Sequence, residues 1–115
     1  MSVRISGSLL GAALALTVTA AAAEEDRDSA NFMLPICRGF LNHSGANILL
    51  QGSCAGVIEG MVYLGKSQCV DVPGEVTVTQ AVRVVVSYID ARPARMHESF
   101  KKLAIDALRA AWPCK

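Results

Sequence analysis

The chain is short of most of what an enzyme or a nucleic-acid binder needs. Of its 115 residues only two are histidines, His43 and His97, and 11 Lys/Arg against 10 Asp/Glu leave a formal net charge of +1. Without a basic excess it does not read as a nucleic-acid binder or as a basic membrane-surface peptide. It has no G-x-S-x-G nucleophile turn, no phosphate loop and no dinucleotide fingerprint. A Cys–His nucleophile would need a free thiol, and each of the four thiols has an expected partner. No enzyme, cofactor or metal is expected. No apolar run reaches the roughly 20 residues that a bilayer span requires.

What is present begins with an export signal. Arg4 gives residues 1–8 a positive charge, residues 9–18 are apolar, and Ala21, Ala22 and Ala23 supply small residues ahead of Glu24 and Glu25. This is the pattern of a secretory signal peptide with an A-x-A cleavage site. The expected domain layout is a signal peptide over 1–23 and a single helical domain over 24–115. Cleavage removes Arg4, leaving ten basic and ten acidic residues and a net charge of zero. The mature chain is expected to be periplasmic or secreted, with no membrane attachment. An oxidising compartment makes disulfides the expected state of Cys37, Cys54, Cys69 and Cys114. A zinc site is disfavoured because the gaps between them, 17, 15 and 45 residues, lack the paired C-x₂₋₄-C spacing.

Hydrophobic periodicity predicts four helices. The first covers 30–41, with Ser29 as its cap and Phe32, Ile36, Cys37 and Phe40 on one face; Pro35 is a flaw that kinks it or moves its start. The second covers 52–64, with Cys54, Val57, Ile58, Met61 and Leu64 on one side. Gly56 and Gly60 form a strip without side chains on another, expected to receive a closely packed helix. Thr77 and Gln80 have the spacing of a capping box for the third, whose buried stripe is Val78, Ala81, Val82, Val85 and Ile89. The β-branched run at 84–86 could instead be a strand; the cap, the length and Pro93 favour helix. The fourth covers 93–112, with Met96, Phe100, Leu103, Ala104, Ala107, Leu108 and Ala111 inward. The fold class is all-α, a small four-helix bundle stapled by two disulfides. Short loops make successive helices antiparallel neighbours, which brings Cys37 to Cys54 and places Cys69 and Cys114 at one pole.

The ordered set Phe32, Cys37, Cys54-x-Gly56-x-x-x-Gly60, Cys69, Pro73, Thr77-x-x-Gln80, Tyr88, Pro93, His97 and Trp112-Pro113-Cys114 resembles the Rap/Tai family of immunity proteins. The resemblance implies a small, secreted, disulfide-bonded helical protein. Its described members bind and block peptidoglycan amidase effectors of type VI secretion systems, often as homodimers. An amidase toxin is therefore the expected partner, with a homodimer as a further expectation. The shared positions read as scaffold, so contacts are sought in the loops over 42–47 and 66–75. The candidate partner-binding residues are Asn42, His43, Asn47, Lys66 and Asp71. His97 reads as a partly buried hydrogen-bonding residue, with a pH sensor as the alternative. The competing function is a periplasmic acid-stress chaperone, also small, helical and disulfide-linked, which would expose apolar surface on protonation.

Overall fold

The computed structural model describes residues 27–115 apart from Ala46; the expected signal peptide at 1–23 lies outside the described residues. Among the described residues four α-helices follow one another: α1 (Ala30–Asn42), α2 (Ile48–Tyr63), α3 (Val78–Asp90) and α4 (Phe100–Ala111). Single 3-10 turns occupy Gly65–Gln68 and Pro93–Arg95. The described residues contain no strand, only isolated bridges between Ser29 and Ser99 and between Val70 and Pro113. The fold is all-α.

The helix starts follow local chemistry. The Ser29 hydroxyl accepts from the Phe32 N–H at 3.3 Å. Thr77 and Gln80 complete a reciprocal capping box, with the Gln80 N–H donating to Thr77 at 3.1 Å and the Thr77 N–H to Gln80 at 2.8 Å. That cap, together with five buried residues on one stripe, holds Val84–Val86 in a helix. Pro35 lies inside α1, so the expected move of the helix start does not occur.

Two helix starts differ from expectation. α2 starts at Ile48, a turn before residue 52, because the Asn47 side chain accepts from the Leu50 N–H at 3.1 Å and caps it there. Ile48 and Leu49 face solvent, so the buried stripe carried no trace of them. The fourth helix starts at Phe100 and not at Pro93. The carbonyls of Met96 and Glu98 accept from the backbone N–H groups of Asn31 and Ala30, at 2.8 and 3.0 Å. The turn thereby satisfies the first donors of α1, which a helix start leaves unpaired. The Phe100 N–H donates in return to the Asp28 carbonyl at 2.9 Å. His97 lies in this turn and is exposed, not partly buried as expected. Leu64, expected inside, is 63% exposed, and Ala111 is exposed as well.

The core joins Leu34 and Cys37 of α1, Cys54 and Ile58 of α2, Val82, Val85 and Ile89 of α3, and Phe100, Leu103 and Leu108 of α4. Leu34, absent from the expected face of α1, is among its most buried residues. Each such aliphatic side chain contributes about 1.5–3 kcal/mol through burial. The Cys37–Cys54 bridge lies inside this core, with Cα atoms 5.5 Å apart. Cys69–Cys114 closes the other pole at the surface, with Cα atoms 4.8 Å apart. There the Asp71 N–H donates to the Trp112 carbonyl at 2.9 Å and the Arg109 guanidinium donates twice to the Gln68 carbonyl. Gly65 is required at this pole, since a Cβ there would stand 2.7 Å from the Val70 carbonyl oxygen.

Candidate functional site

The five candidate contact residues fall into two groups that the chain keeps apart. Asn42 ends α1, and His43 follows in the left-handed region at φ 51°. The Ser44 carbonyl near them accepts from the Gln51 side chain at 2.6 Å. Asn47 is committed to capping α2. Lys66 and Asp71 lie beyond the other end of α2, beside the surface disulfide. The 16 residues of α2 separate the groups, a span of about 24 Å at 1.5 Å per residue. Within one chain they do not form a common site.

Sequence reasoning missed the most unusual surface, the outward face of α2. Leu49 and Tyr63 are 86% and 87% exposed, and Ile48 and Leu64 flank them at 79% and 63%. Between these ends run Gly52, Gly56 and Gly60, and an added Cβ on any of them would meet nothing within 4 Å. Among the described residues no helix supplies the expected close packing. Only Glu59 is charged in the whole of α2. The usable signal was the composition of 48–64, apolar on every side of the helix, which marks surface meant for burial.

Two grooves flank this face. One, of about 680 Å³, lies between α2 and α4, with Val57, Met61 and Ile105 on its floor and Lys101, Lys102 and Arg109 on its rim. The other, of about 540 Å³, lies toward α1 and is lined by Phe32, Met33, Leu50 and Phe100. Val57 and Lys101 border both.

Among the described residues, the strongly perturbed ionic cluster sits in the turn before α4. Arg95 donates to Glu98 at 2.8 Å and to Asp106 at 3.1 Å. Hydrogen bonds from Arg95 hold the Glu98 carboxyl down at about 2, and the same partners push the Arg95 guanidinium further up. Neither group changes charge near neutral pH, so the cluster clamps the turn and is unsuited to proton transfer. Among the described residues no group of three or more His, Cys, Asp or Glu is placed to hold a metal ion, and no helix is long and apolar enough to cross a membrane.

A small helical scaffold with two bridges, exposed loops and an uncovered apolar helix face is built for protein contact. The model of the family of Rap1a immunity proteins matches residues 29–114. The chain belongs to this family. The match spans all four helices and all four cysteines, from the Ser29 cap to Cys114. As a Rap1a immunity protein it is directed at a secreted toxin, which makes a toxin its protein partner and points to non-catalytic inhibition. No curated protein and no solved structure matches the chain.

Proposed function

We propose that this Rap1a-family chain is a periplasmic, non-catalytic inhibitor that binds a peptidoglycan amidase delivered by a type VI secretion system, and that it works as a homodimer. The observation that carries the reading is the family match over 29–114. The sequence pattern of an export signal supports the location, and the absence of a catalytic set from the sequence supports binding as the mechanism.

Lys66 and Asp71 contact the toxin in this reading. Both are exposed, on a segment fixed by Cys69–Cys114 and by the Arg109 hydrogen bonds. A fixed segment loses little conformational entropy on docking, which favours affinity. The test is co-expression with amidases exported to the periplasm, with lysis as the readout. Protection by the parent chain, weakened in a Lys66→Ala/Asp71→Ala variant of unchanged melting temperature, supports the reading. No protection against any such amidase, together with suppression of client aggregation at low pH, would move the assignment to the acid-stress chaperone.

A further inference from the structure

The outward face of α2 reads nearly the same from either end. Gly56 is its midpoint: Gly52 and Gly60 lie four residues to either side, and Leu49 and Tyr63 lie seven. An α-helix drifts only about 20° over seven residues, so Leu49, Gly56 and Tyr63 share one line along the helix. All five residues are exposed. A surface that repeats under reversal is what a two-fold, isologous contact requires, since each patch must complement itself.

We infer that α2 pairs antiparallel with α2 of a second copy, with Gly56 on the two-fold axis, and that this pairing assembles the partner-binding site from both chains. Leu49 of each copy meets Tyr63 of the other, and the glycines let the two backbones approach closely. A stable pair needs about 800 Å² from each copy. The exposed side chains of Ile48, Leu49, Tyr63 and Leu64 supply about half of that, at roughly 100 Å² apiece. Close approach over the glycines brings the walls of the two flanking grooves, Val57, Met61 and Lys101 among them, into reach for the remainder. Desolvation is confined to one charge from each copy, since Glu59, three residues from Gly56, is the sole charged residue of α2.

The antiparallel arrangement has a consequence for the site. Asn42, His43 and Asn47 stand at the start of α2, and Lys66 and Asp71 stand past its end. Pairing about Gly56 sets the first group of one copy beside the second group of the other, so the two groups that one chain holds apart meet at each end of the dimer. This rests on the self-association proposed above and names its surface and register.

The test uses full-length protein expressed with both disulfides formed. Analytical ultracentrifugation of the parent is expected to show a dimer, and Gly56→Leu to weaken self-association by more than about tenfold. The same variant should melt no lower than the parent in dilute solution, since the site has open space around it. Register is read by cross-linking. Leu49→Cys alone should not cross-link, because its copies stand about 21 Å apart in this register, whereas an equal mixture of Leu49→Cys and Tyr63→Cys should. A monomer at high micromolar concentration would remove the dimer itself. A dimer that Gly56→Leu leaves intact, or that Leu49→Cys cross-links alone, would remove the interface while leaving toxin binding by the single chain open.

Discussion

α2 and α3 are both rich in apolar residues and use them differently. α3 buries five of its 13 residues, Ala81, Val82, Val85, Val86 and Ile89, and turns Thr79, Arg83, Ser87 and Asp90 to solvent. α2 buries two of its 16, Cys54 and Ile58, and turns Leu49, Gly56 and Tyr63 outward. The fold accounts for α3 completely, since one stripe at helical spacing is all that packing against neighbours requires. It accounts for about half of α2. Among the described residues nothing covers the surplus apolar surface, which is the surface that the proposed self-association uses.

The largest effect separates the two faces of α2 directly. Ile58→Ala removes a side chain with no exposed surface and should cost about 2–5 kcal/mol in chemical denaturation. Leu49→Ala, nine residues away on the outward face, should fall within about 0.5 kcal/mol of the parent when the protein is dilute. Equal losses would show that Leu49 belongs to the fold.

Glycines sharpen the same contrast at smaller scale. Gly65→Ala presses a methyl group against the Val70 carbonyl and should destabilise by about 1–3 kcal/mol, as overpacking does. Gly56→Ala meets open space and should stabilise the dilute protein by up to about 1 kcal/mol through helix propensity. Thermal melts of the two variants therefore move in opposite directions.

The smallest effect concerns the turn before α4, which serves the fold alone. The Glu98 carboxyl is held at about 2 against an ordinary 4.5. Its depressed value means that its contribution to stability is complete above about pH 4.5 and is lost as pH falls through about 2. Glu98→Gln should therefore flatten the loss of melting temperature across this acid window while leaving self-association at neutral pH unchanged. An unaltered acid profile would show that the Arg95 contact does not control the turn.

Much of the fold was legible in the sequence because it depends on local chemistry. The Ser29 cap, the Thr77–Gln80 box and the inward stripe of α3 lie where periodicity and capping put them. Helix order also placed Cys37 near Cys54 and Cys69 near Cys114. The break before Phe100 was not legible: apolar spacing continues from Met96 through it, and the hydrogen bonds that open it come from Ala30 and Asn31, distant in sequence. The start of α2 was hidden because Ile48 and Leu49 face solvent and so lie off the buried stripe that marked the helix. Of the candidate site, the two loops were visible as polar and glycine-bearing segments at either end of a helix, but the exposed apolar face of that helix was not. Asn47 read as a contact residue because an asparagine in a loop and one capping a helix look alike before the helix start is known.

The division of α2 into a folding face and a binding face is tested most directly by Leu49→Asp, with melting temperature and sedimentation measured on one dilution series. The expected result is an unchanged melting temperature in the dilute limit together with loss of the dimer at every concentration. A lowered melting temperature in that limit, or a dimer that persists, would contradict it.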